Sequence, residues 1–252
     1  MSLPRWSISA NEISALILSM AITYPVLTVA PAHAQPSHLP ANVIHTVEPA
    51  LLSKLRAKGS ENVHDDSQLA ARLLRGAQAY QENRLDDAIT EFSAIIEANP
   101  KSFEALYNRG STYYRKGLMM EAIADYTTAI DLAPTFPWIF ISRGSAYSNL
   151  RRFDLALPDF DEAIRLDPSN GASYYNRGLL HSKEGHYAQA VEDLTIALQL
   201  DPTDINAYTA RAAAYEKLNF VSQAIADYRK ALTIDRRNQL AASRLKELGL
   251  SP

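Results

Sequence analysis

Glycine recurs every 34 residues at Gly76, Gly110, Gly144 and Gly178, and the next step of 34 lands on Ala212. Few folds tolerate so strict a period: small residues in register over 34 positions mark stacked helix pairs, each too small to bury its own apolar faces. Other positions keep the same register. Alanine returns as Ala88, Ala122, Ala156, Ala190 and Ala224, and proline as Pro100, Pro134, Pro168 and Pro202, with Arg236 in the fifth place. Four residues after each alanine stands Phe92, Tyr126, Phe160, Leu194 or Tyr228, and three further on Ile95, Ala129, Ala163, Ala197 or Ala231.

These residues resemble the small, aromatic, small and proline pattern of the tetratricopeptide repeat (TPR) family, over residues 69–238 and without an insertion or deletion. The resemblance implies an all-α, right-handed superhelix, an α-solenoid of five helix pairs (69–102, 103–136, 137–170, 171–204 and 205–238). The residues give the helix pairs independently. Leu106, Gly110 and Tyr113 fall at helical spacing, as do Ala122, Tyr126 and Ala129, so each unit carries two apolar stripes. Asn83, Gly117, Gly185 and Asn219 occupy the turn between the two helices and tolerate a left-handed backbone, with Arg151 as the exception. Ser102, Asn170 and Asp204 are expected to cap the first helices of their units, whereas Phe136 breaks that pattern. Residues 239–252 read as a terminal capping helix and tail, with Leu240, Leu245 and Leu248 on its apolar side.

The segment before the repeats reads differently. An apolar run from Ile13 to Ala30, followed by Ala32-His33-Ala34, has the form of a signal peptide over 1–34 cleaved after Ala34. The expected location is periplasmic or secreted, and the chain meets the membrane only if that segment is retained as an anchor. Residues 35–68 read as a linker or lead-in.

A formal net charge of −3 supplies no basic field for nucleic acid, which is disfavoured as a partner. Without cysteine there is no thiolate metal site and no disulfide. No HExxH, phosphate loop or nucleophile elbow occurs, so no catalytic residue, cofactor or metal site is assigned and the chain is read as non-enzymatic. His181 and His186 straddle a turn; they are not expected to share a helical face as a metal pair would, and His181 takes the tyrosine register as a packing residue.

The expected partner is therefore a protein or peptide segment. The resemblance implies that first helices line a concave groove, and carried onto this chain the groove set is Tyr80, Tyr107, Ser111, Tyr114, Trp138, Tyr175 and Leu179. To these are added the duplicated asparagines Asn108 and Asn176, whose amides suit an extended peptide. The carboxylate clamp of chaperone-binding relatives is not reproduced: among Leu73, Ala77, Asn108, Trp138 and Ser142 only Asn108 fits. Arg75, Arg109, Arg143, Arg177 and Arg211 each precede an acid by sixteen residues (Glu91, Asp125, Asp159, Asp193, Asp227), which predicts a repeated structural ion pair. The function expected is an interaction scaffold or adaptor using the groove; the alternative is a structural subunit of an envelope complex acting through its convex face or array ends.

Overall fold

Most helix junctions among the described residues are set by a residue the 34-residue register supplies. In the computed structural model, which describes residues 63–251, eleven α-helices and no strand are found among the described residues. These residues divide into two compact units, 63–98 and 99–251. The first unit is one helix pair, α1 (Val63–Gln81) and α2 (Leu85–Ala98). Helix α1 begins at Val63, so the expected lead-in over 35–68 already contains the start of a helix; the signal peptide and the rest of the lead-in lie outside the described residues.

The second unit holds four helix pairs and a terminal helix. The pairs are α3 (Phe103–Lys116) with α4 (Met119–Leu132), α5 (Pro137–Asn149) with α6 (Phe153–Leu166), α7 (Gly171–Glu184) with α8 (Tyr187–Leu200), and α9 (Ile205–Lys217) with α10 (Val221–Ile234); α11 is Gln239–Glu247. Each second helix packs on its own partner and on the first helix of the next pair, and first helices also touch the next first helix, which is the connectivity of an α-solenoid.

Within pairs, the chain reverses through one left-handed residue: Asn83 (φ 61°), Gly117 (85°), Arg151 (57°), Gly185 (83°) and Asn219 (61°). Arg151 therefore keeps the conformation although its side chain disfavours it. Between pairs, side-chain caps start the next helix. Ser102 Oγ accepts from the Ala105 amide (3.3 Å), Asn170 Oδ1 from Ala172 (3.0 Å), and Asp204 Oδ1 from Asn206 (2.9 Å) and Ala207 (3.1 Å). Phe136 forms no such cap; its ring stacks on Phe103 at 4.9 Å, and Pro137 opens α5 where a missing amide hydrogen costs nothing.

The repeated glycines hold the two helices of a pair together. A Cβ on Gly110 would stand 2.8 Å from Tyr126 Cε1 and 3.3 Å from the Ala122 carbonyl oxygen, and one on Gly144 would stand 2.9 Å from Phe160 Cε1. Those aromatic rings are themselves fully buried, so they have no room to yield. At the C-terminal end, Ala241 and Leu245 of α11 close the cluster formed by Ala212, Ala224, Tyr228 and Ala231, with Leu250 packed against it. Leu240, expected on the packed side, is 55% exposed, because its position rotates it away from the face that Ala241 and Leu245 share. No helix among the described residues is long and apolar enough to cross a membrane.

Candidate partner-binding surface

The first helices carry the residues the sequence assigned to a groove, and their register decides which of them another molecule can reach. Fifth-position residues of the second unit point into the packing: Tyr107 and Tyr175 are 8% and 5% exposed, and Ile141 and Thr209 are buried as well. Tyr175 forms a cluster with Leu194, Ala197, Leu198 and Ala207, and burial pushes its phenol well above the usual tyrosine range. Sixth-position Asn108 and Asn176 are also buried. The Asn176 amide donates to the Ala172 carbonyl of its own helix (2.8 Å), a local use of the group the sequence reading gave to a bound peptide. Tyr114 at the twelfth position is 6% exposed, and its hydroxyl accepts from Asn149 Nδ2 at 2.8 Å. Expected exposure therefore fails for Tyr107, Asn108, Tyr114, Tyr175 and Asn176, all of which are buried.

The rest of the set stays half-buried: Tyr80 on α1, Ser111 on α3, Trp138 on α5 and Leu179 on α7. Trp138 lies against the cluster of Phe140, Ile141 and Phe160, and Leu179 lies against the Tyr175 cluster, so each has one packed side and one accessible side. Ser111 Oγ donates to the Tyr107 carbonyl (2.9 Å) and accepts from the Tyr126 hydroxyl (3.2 Å).

A row of polar side chains joins consecutive first helices. Ser142 Oγ donates to the Tyr107 hydroxyl at 3.4 Å, Asn149 to Tyr114 as above, and Lys183 Nζ to Ser148 Oγ at 3.0 Å; each bond spans 35 residues, one repeat plus one. Burial lowers the ammonium of Lys183 below the usual lysine range. Thirteenth-position Arg115, Asn149, Lys183 and Lys217 thus form a polar edge, three of whose four members are cationic, along the C-terminal ends of α3, α5, α7 and α9.

All five predicted ion pairs form. Arg109, Arg143, Arg177 and Arg211 each grip their aspartate through Nε and Nη2 at 2.8–2.9 Å, and Arg75 grips Glu91 at 2.9 and 3.1 Å. Hydrogen bonding from Arg75 holds the Glu91 carboxyl below the usual glutamate range. In the second unit the aspartates Asp125, Asp159, Asp193 and Asp227 are buried, so these pairs are more than solvated surface contacts.

One feature of these arginines escaped the sequence reading. The remaining Nη1 of Arg143, Arg177 and Arg211 reaches sixteen residues backward, to Thr127 Oγ1 (3.2 Å), Asp161 Oδ1 (2.7 Å) and Thr195 Oγ1 (3.0 Å), on the second helix of the preceding pair. Each guanidinium therefore joins three helices. The signal was present as a hydrogen-bonding residue at i−16 beside the acid at i+16, but a threonine in one place and an aspartate in another hides the register.

A profile of the tetratricopeptide repeat matches residues 69–136, 141–205 and 175–239. No curated protein matches the chain in sequence. Among solved structures, MamA resembles it at 26% identity and a TM-score of 0.58, over 64% of this chain and 95% of that one. The thermophilic TPR protein TTC0263 of Thermus thermophilus does so at 26% identity and 0.61, over 71% and 97%. YrrB, described as a TPR protein with an unusual peptide-binding site, shares the fold at 21% identity and 0.56, over 68% and 88%. The period, the helix pairs and the profile agree: the chain belongs to the tetratricopeptide repeat family.

Proposed function

We propose that this chain is a non-catalytic scaffold or adaptor that binds a segment of another protein along its first helices, in the periplasm or outside the cell if residues 1–34 direct export. The observation that carries the reading is the alternation on α3, α5, α7 and α9: half-buried Ser111, Trp138 and Leu179 beside the polar, mostly cationic edge of Arg115, Asn149, Lys183 and Lys217. An aromatic ring and a leucine with one face held by the core are pre-ordered anchors, so binding costs little side-chain entropy. The cationic edge favours a segment whose apolar residues are flanked by acids.

Burial of Tyr107 and Tyr114 changes which substitutions test the idea. Alanine at those positions removes packing as well as any contact with a partner, whereas Trp138→Ala together with Lys183→Glu alters the accessible surface. Crosslinking and affinity capture from the source cells, at equal folded amount by circular dichroism, is expected to recover a partner with the native chain and to lose it with this double variant. Recovery of the same partners by both forms would sink the groove reading.

A second reading has its own observation. Phe220, Val221 and Leu240, at the C-terminal end of the array, are large apolar residues left exposed. They support assembly through the array end, and capture that survives Trp138→Ala/Lys183→Glu but fails on Phe220→Ser/Leu240→Ser would select it.

A further inference from the structure

The turn between α7 and α8 folds three metal-ligand types toward one point. The sequence places His181 and His186 on either side of a turn, where they share no helical face. A shared helical face is not needed: Gly185, at φ 83°, turns the chain back, and the two imidazole centroids come within 6.1 Å. Glu184 lies between them, with Oε2 3.9 Å from His181 Nδ1 and 3.6 Å from His186 Nδ1. One ligand atom from each of the three residues lies within 4.8 Å of the other two.

We infer that His181, Glu184 and His186 form a binding site for a divalent transition-metal ion of the zinc class. His181 supplies the independent sign. It is 8% exposed, and its Nδ1 is buried with no hydrogen-bond partner, which is costly for an imidazole nitrogen and is relieved by a cation. The carboxylate oxygen lies beyond hydrogen-bond distance of both imidazoles. Two atoms bound to one zinc ion at 2.0–2.2 Å stand about 3.3 Å apart in a tetrahedral site, so the two edges to Glu184 must contract by about half an ångström, and the edge between the histidines, within 4.8 Å, closes by rotation of the exposed His186 ring.

The far side of His181 fits the same role. Its Nε2 faces Asp193 Oδ2 at 3.9 Å, and Asp193 is fixed by the two-pronged grip of Arg177. At that distance no hydrogen bond joins the two, and Asp193 acts on a cation held by the imidazole only as a nearby charge of opposite sign. Two imidazoles and a carboxylate suit zinc, cobalt, nickel or copper better than calcium or magnesium. Glu184 and His186 are exposed at the surface, so a fourth position faces solvent and is open to water or to a side chain of a bound protein.

The experiment is equilibrium dialysis of the full chain against Zn²⁺ alone, with bound metal counted by elemental analysis, and visible absorption of the Co²⁺-loaded protein as a report of coordination geometry. The native chain is expected to take up one equivalent. His186→Ala and Glu184→Gln change exposed residues and leave the fold intact by circular dichroism; each is expected to weaken Zn²⁺ binding at least tenfold. A variant with His33, His38, His45 and His64 all changed to Ala retains the other two histidines of the chain and is expected to bind as the native chain does. Absence of stoichiometric zinc in the native chain, unchanged affinity in His186→Ala, or loss of binding in the four-histidine variant would each overturn the site.

Discussion

Arginine at the seventh position of a repeat carries an energetic weight that depends on where its acid sits. The Arg75 side chain is 53% exposed, whereas Arg143 is mostly covered and its Asp159 partner is buried. Removing the cation from a buried pair leaves a desolvated carboxylate without compensation, whereas an exposed pair is screened by water. Arg143→Leu is therefore expected to destabilise the chain by about 3 kcal/mol or more, and Arg75→Leu by about 1 kcal/mol or less, as measured by urea denaturation. Equal losses would show that the two pairs share one environment. The ion pairs were legible because identical spacing of opposite charges in every unit has a simple geometric cause. Groove membership was less legible: Tyr107 and Trp138 are both aromatic and both lie on first helices, but only contact with the adjacent unit decides which ring is covered.

At the level of single helices, the register explains starts and stops while tertiary contacts decide the exceptions. Phe136 lacks a capping oxygen and is retained in a stack with Phe103; Arg151 keeps a left-handed backbone and lays its guanidinium over the Phe153 ring at 5.9 Å. Pro158 is a different exception. It lies inside α6, where it removes a helical hydrogen bond and crowds the preceding turn, and it is exposed, so its ring adds little to the core. Pro158→Ala is expected to raise stability by about 1–3 kcal/mol, visible as a higher urea midpoint with an unchanged slope. A loss of stability instead would mean that the fixed φ of Pro158 stabilises α6 more than its missing hydrogen bond costs. The caps at Ser102, Asn170 and Asp204 could be read from the chain because capping is local chemistry. The spacing puts His181 and His186 on either side of the Gly185 turn, but only the packing of α7 on α8 sets how close their rings come.

Across the second unit, stability is a sum over neighbouring helix pairs, and its end is protected by α11. Ala241 and Leu245 are fully buried against the last pair, so a chain ending at Asn238 exposes the apolar faces of α9 and α10. Hydrogen exchange in that truncated chain is expected to quicken first in α9 and α10 and to leave α3 and α4 close to native; uniform quickening would show that the unit unfolds as one cooperative block. The architecture was legible at this scale because five units repeat one solution. The exposed side of α11 was not, since helical spacing gives a face to Leu240 but cannot tell which neighbour is present to cover it.

The three-helix grip of Arg143, Arg177 and Arg211 has a mechanical meaning. Shearing one helix pair past the next works against charge-assisted bonds on both sides of each guanidinium, added to the polar links between first helices and the close fit of the Ala-rich contacts. The seam of arginines thus acts as stitching within the second unit, each stitch fastening one helix pair to the one before it.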